Sequence, residues 1–279
     1  MGKGAVLLMA DELIAVFSYP FMQRALVVGI LVSLCAALLG TSLVLKRYSM
    51  IGDGLSHVGY GAFAIAAAAG IAPLGFAIPV VIASAFLLLY ITRKGKMGGD
   101  SAIAILSSSA LAIGMIVLAL NRVSIDINSY MFGSILALSE EDVVLSVICS
   151  VIVCVTFILL YHRIFAVTFD ESFASATGIR TGVYNSFISV LTAVVIVVGM
   201  RLMGALLISS LMIFPSLSSM RVCKGFKSVT ICSAAISVVC FTSGLIGSYF
   251  IDVPTGAGIV VVNLAVFLIF ALVGKIKER

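Results

Sequence analysis

The sequence predicts an all-α, polytopic transmembrane bundle of about nine spans, folded as one domain over residues 1–279. Three observations predict it. Hydrophobic residues make up 62% of the chain and charged residues only 10%, whereas a typical soluble domain carries about a quarter charged residues. No water-soluble fold of this size has an interior large enough to hide that much apolar surface. The apolar residues also come in repeated runs of the length a helix needs, about 20 residues at about 1.5 Å each, to cross a hydrocarbon layer about 30 Å thick. Finally, these runs are apolar all round and do not alternate, which argues against a β-barrel.

Read between polar punctuation, the spans fall near residues 25–45, 55–71, 74–91, 102–120, 143–161, 183–200, 202–218, 228–250 and 256–273. The weakest boundary is Gly199 to Gly204, where two spans compete with one broken helix and an eight-span count; Pro215 beyond it predicts a kink or a re-entrant turn. Orientation follows from the excess of Lys and Arg in cytoplasmic loops. With the loop after the first span inside, only Lys3, Arg24, Arg122 and Arg201 of the 17 basic residues remain outside. The N-terminus is then external and the C-terminus cytoplasmic, which requires an odd number of spans. Residues 1–24 begin with an apolar stretch interrupted by Asp11 and Glu12 and reach Tyr19-Pro20. They read as an external interfacial helix in preference to a signal peptide.

The six cysteines lie within or at the edge of apolar runs and form no C-x-x-C pair, so they read as packing thiols. No permanently bound cofactor is expected. The net charge of +5 gives nucleic-acid binding little support.

Two polar segments carry more than a turn needs. Residues 121–142 mix polar and apolar positions and suit either a short external helix at the mouth of a pathway or a plain loop. Residues 169–182 lie on the cytoplasmic side. There Asp170 and Glu171 sit at a helix N-terminus, where the helix dipole favours anions, Phe173, Ala174 and Thr177 recur at helical spacing, and Gly178 supplies a stop. A short amphipathic helix results that presents a stripe of small residues, Ala174 among them, to water, either a simple connector or a docking element for a soluble partner.

One pair of residues carries chemistry. Asp53 and His57 are four apart, which puts them on one face of a helix. Ionisable groups in a spanning helix are costly and normally face a pathway or a partner. A carboxylate and an imidazole suit Zn²⁺ or Mn²⁺ and are too few for a closed structural site, so a transient site fits them. The competing reading is that Asp53 caps the second span and His57 satisfies a backbone carbonyl. Gly52, Gly54, Gly59 and Gly61 flank the pair and permit close helix approach. In a two-fold dimer, two such pairs would surround one ion on the axis. His162, beside Arg163 at a span end, reads as interfacial; Met50, Met200, Met203 and Met212 read as core. Neither Gly95-Lys96 nor Gly274-Lys275 has the flanking residues of a Walker A loop, and neither histidine has an H-E-x-x-H context. The chain therefore reads as a transport subunit that does not itself hydrolyse ATP by that route.

Four motifs carry a family resemblance: Tyr19-Pro20-Phe21-Met22, the segment Ser49 to His57, the segment Gly204 to Pro215, and Asp252 to Gly256. Taken together, they make the chain resemble, over nearly its whole length, the permease subunits of bacterial zinc and manganese ATP-binding-cassette importers. The resemblance implies a fold similar to the cobalamin permease and a homodimer in the bacterial plasma membrane. Its implied partners are two cytoplasmic ATPase subunits and an external metal-binding protein. It also implies that Asp53 and His57 match the family's pathway pair and that Asp170 to Arg180 matches its ATPase-coupling helix. Residues 129–142 look closer to the zinc-type permeases, so Zn²⁺ is the expected cargo and Mn²⁺ or Fe²⁺ the alternative. A different class, the ion-driven secondary transporter, would also need buried ionisable residues but no partner ATPase; the cytoplasmic amphipathic helix argues for the importer. Ser216 to Ser219 depart from the family, which commonly has alanines there.

The topology is open to a direct check. Reporter fusions at the C-terminus should be active only on the cytoplasmic side; activity only on the outer side would refute an odd span count with an external N-terminus.

Overall fold

Each apolar run becomes a helix because, away from water, the backbone can satisfy its own N–H and C=O groups only internally. The computed structural model describes residues 18–94, 98–121, 133 and 140–277. The segment read as an external helix lies largely outside the described residues, as does most of 121–142, including most of the segment that looks zinc-like. The helices, in chain order, are α1 (Pro20–Leu45), α2 (Ile51–Ala69), α3 (Pro73–Lys94), α4 (Gly99–Asn121), α5 (Glu140–Leu159), α6 (Tyr161–Phe169), α7 (Glu171–Ala176), α8 (Thr181–Met203), α9 (Ala205–Val222), α10 (Phe226–Ile251) and α11 (Thr255–Lys277).

Among the described residues, 8 helices are long and apolar enough to cross a membrane. They correspond to eight of the nine expected spans. The ninth is α2, which is 19 residues long but carries Asp53, Ser56 and His57 in its first half. Its polarity is compensated by position. Helices α1, α8 and α9 form a buried inner group, while α3, α4, α5 and α11 leave most of their apolar surface exposed. Exposed side chains such as Ile105, Ile116, Ile152, Leu268 and Leu272 suit a hydrocarbon surround.

The doubtful boundary resolves into two helices. Gly204 breaks α8 from α9 with φ 86 and ψ 160, a backbone region open essentially to glycine alone. Helix α9 then runs on through Pro215. The serines after it are structural: Ser216 Oγ donates to the Met212 carbonyl at 3.0 Å and lies 3.2 Å from Ser233 Oγ on α10 and 3.5 Å from Thr41 Oγ1 on α1. Ser218 and Ser219 are also buried and return their hydroxyls to the carbonyls of Phe214 and Ser216. Hydroxyls thus tie three helices together where alanine would only pack.

Ion pairs mark the two ends of the bundle. Arg24 at the start of α1 meets Glu140 at the start of α5 at 2.6 Å, and Arg201 near the end of α8 meets Asp142 at 3.0 Å. At the opposite end, Lys46 after α1, Glu171 on α7 and Asn185 in the first turns of α8 come together. These pairings put the starts of α1 and α5 and the end of α8 at one end of the bundle, as the count of basic residues does. Tyr161, Phe165 and Phe226 cluster beside the second end, with ring centroids 5.6 and 5.1 Å from Phe226, in the manner of an aromatic belt at a membrane surface.

Helix α2 is held at backbone distance. A Cβ on Gly61 would lie 2.6 Å from the Ala110 carbonyl oxygen, and one on Gly114 would lie 2.8 Å from the Gly61 Cα. Replacing Gly61 by Leu should therefore lower the yield of folded protein and its melting temperature in detergent, since overpacking costs about 1–3 kcal/mol or more. Gly98→Ala, at a position with nothing within 4 Å of the added atom, should match the wild type. Equal melting of the two variants would contradict the α2–α4 contact.

Candidate functional site

The site is built by α2 and by what surrounds it. Two glycine pairs seven apart face different neighbours: Gly52 and Gly59 lie against Met212 and Met200, while Gly54 and Gly61 lie against Ile103 and Ala110. Tyr60 donates its hydroxyl to Met115 Sδ at 3.1 Å, fixing the same helix to α4. Consequently every residue from Ile51 to Ala62 is buried except Asp53 and His57. Their side chains are 45% and 24% exposed and 3.6 Å apart, Oδ2 to Nε2. One narrow stripe on an otherwise enclosed helix thus consists of a carboxylate and an imidazole.

The capping reading of Asp53 does not survive this geometry. The N-cap position of α2 is Met50, which makes no side-chain cap hydrogen bond, and Asp53 lies within the first helical turn. There its charge complements the helix N-terminus. Ser56 turns its hydroxyl to the Asp53 carbonyl at 2.7 Å. Among the described residues, no group of three or more His, Cys, Asp and Glu side chains converges on one point. Among the described residues the stripe therefore presents two groups of the kind that bind metals, Asp53 and His57.

The short helix expected on the cytoplasmic side forms as its sequence implies, but is shorter and differently faced. Asp170 is the N-cap of α7 and accepts from the Phe173 N–H at 2.9 Å; Gly178 follows with φ 84. Phe173 is 66% exposed, and Thr177 also faces outward. Ala174 is fully buried, so it roots the helix in the bundle and does not join Phe173 and Thr177 in a water-facing stripe. The spacing alone misassigned it because the inward face of α7 is a single residue wide.

The methionines read as core are so for Met200, Met203 and Met212, whereas Met50 is exposed. His162 is exposed and stands edge-on to Tyr161 at 5.5 Å. Two residues that the sequence did not single out prove structurally prominent. Lys46 hydrogen-bonds Asn185 Oδ1 and lies 4.0 Å from Glu171 Oε2, while Asn185 donates to Glu171 Oε1 at 3.0 Å. Lys46 had counted only as a loop charge; the signal in Asn185 was a lone amide opening an apolar run.

Comparison with known proteins decides the class, because the family model described as "ABC 3 transport family" matches residues 18–274. The chain belongs to that family. It is a membrane-spanning permease component, and similar proteins match it over nearly their whole length. A probable metal transport system membrane protein of Treponema pallidum is 30% identical over 251 residues, covering 90% of this chain and 94% of that protein. The manganese import system permease ScaB of Streptococcus gordonii is 27% identical over 261 residues, covering 94% of each. In three dimensions the chain is similar to PsaBC from Streptococcus pneumoniae, solved in complex with Fab, with a TM-score of 0.83, 27% identity and coverage of 94% and 95%.

Proposed function

We propose that this chain is the permease of an importer that moves Zn²⁺ inward across the bacterial plasma membrane. It works as a homodimer, with ATP hydrolysed by a cytoplasmic ATPase pair and the ion delivered by an external metal-binding protein. The observation that carries the reading is the stripe of α2, where the only accessible positions of a buried segment are Asp53 and His57. A half-exposed carboxylate cannot face hydrocarbon without large cost, so its face meets a water-filled passage or a second copy. Two copies meeting there would bring two carboxylates and two imidazoles around one ion, enough to replace much of its water shell. The relatives' names support metal import as the class: a metal transport protein in one case, a manganese permease in another. Zinc is favoured by the imidazole, a borderline ligand that suits it well, and by the zinc-like segment at residues 129–142.

Radiolabelled zinc uptake tests this. At matched membrane levels, Asp53→Asn should abolish uptake while leaving dimerisation intact, and His57→Asp should retain part of it with preference shifted toward Mn²⁺, because a carboxylate hardens the site. Wild-type uptake by Asp53→Asn would remove Asp53 from the pathway.

The same reading makes α7 the element that meets the ATPase, with Asp170 and Glu171 shaping its start, Phe173 and Thr177 outward, Ala174 rooting it and Gly178 ending it. Phe173→Glu should release the ATPase on purification without unfolding the permease, since a charge cannot be buried unpaired in a close contact. Undiminished co-purification would take Phe173 out of the interface.

A further inference from the structure

Helix α7 is tied to the end of α1 and the start of α8 by three polar side chains. Glu171 on α7 holds Lys46 at 4.0 Å and takes a hydrogen bond from Asn185 Nδ2 at 3.0 Å, and Lys46 in turn donates to Asn185 Oδ1. The three side chains close a triangle between α7, the end of α1 and the start of α8. Lys46 is only 13% exposed, so its charge depends on these partners. Asp53 follows it by seven positions. Between them Arg47 adopts φ 61, a left-handed backbone uncommon for a residue with a side chain, and Tyr48 packs against Gly99, where a Cβ would lie 2.9 Å from its ring.

The triangle borders open space. A cavity of about 260 Å³ is lined by Lys46, Glu171 and Asn185 together with apolar residues of α1, α3 and α8. Thr168 lines it too, and its buried hydroxyl has no hydrogen-bond partner. When the triangle opens, that hydroxyl is a ready acceptor for the Lys46 ammonium or the Asn185 amide.

We propose that Lys46 and Asn185 are positioning residues that transmit displacement of α7 to Asp53. Movement of Glu171 draws Lys46 with it, the left-handed turn at Arg47 swings, and the first turn of α2 shifts its carboxylate relative to His57's surroundings. This rests on the reading that α7 meets the ATPase and that Asp53 and His57 meet the ion. Such transmission needs a contiguous element with two arrangements; the structure shows the closed triangle, and the adjoining cavity is where the second would form.

The test uses the full complex of permease, ATPase and external binding protein in proteoliposomes. Lys46→Met and Asn185→Leu should each lower zinc uptake about tenfold or more, within the usual range of coupling between sites. ATPase stoichiometry and ATP turnover should be retained. The exchanged pair Lys46→Glu with Glu171→Lys should recover part of the lost uptake. A second readout follows motion directly. A thiol placed by Met50→Cys, at an exposed position just before α2, should change its labelling rate between the resting and the vanadate-trapped complex. That change should vanish with Lys46→Met and persist with Asp53→Asn. Uptake within twofold of wild type in both Lys46→Met and Asn185→Leu, or an unchanged labelling response in Lys46→Met, overturns the proposal, as does loss of the ATPase from either variant. If Asp53→Asn transports normally, the pathway reading falls instead, whatever Lys46 does.

Discussion

A carboxylate on a helix packed inside an apolar bundle must be kept from lipid, and that constraint organises this protein. Moving a charge into hydrocarbon is costly enough that Asp53 must be shielded, paired or given water. The bundle buries everything else on the same stretch of α2 and leaves only the face of Asp53 and His57 open. Backbone-close packing against α4, methionines filled in at Gly52 and Gly59, and an inner group of α1, α8 and α9 all serve this enclosure. The lipid-facing helices can then be plain and apolar, because none of the polar work falls on them.

Much of this architecture was legible in the sequence. Runs such as 25–45 and 228–250 are long, apolar and bounded by charge, and the helices α1 and α10 extend them by only a few residues. The alternation of ends followed from counting Lys and Arg, and the ion pairs Arg24–Glu140 and Arg201–Asp142 join termini that this counting puts on one side. The spacing of Asp53 and His57 identified a shared face. What it could not identify was which face the bundle would leave open, since that depends on Ala110, Ile103 and Met200 from elsewhere in the chain.

Other features were illegible for the same reason. Ala174 looks like part of an outward stripe when read along α7 alone, yet tertiary packing buries it. Ser216 looks like a departure of uncertain effect, and only the approach of Thr41 and Ser233 makes it a junction of three helices. Lys46 and Asn185 are 139 positions apart, and nothing local in either neighbourhood announces the other. Local patterns therefore predicted elements and charges well, while partnerships between distant polar groups emerged only with the fold.

On this account the stripe of α2 is the passage wall, and cysteine accessibility along that helix measures it most directly. Single cysteines at positions 53, 55, 56, 57 and 58, in a background free of native cysteines, would be labelled by a small polar thiol reagent with and without Zn²⁺. The account predicts labelling at 53 and 57 that Zn²⁺ suppresses, and little labelling at 55, 56 and 58. Equal labelling at all five positions, or labelling at 53 and 57 that Zn²⁺ leaves unchanged, would contradict it.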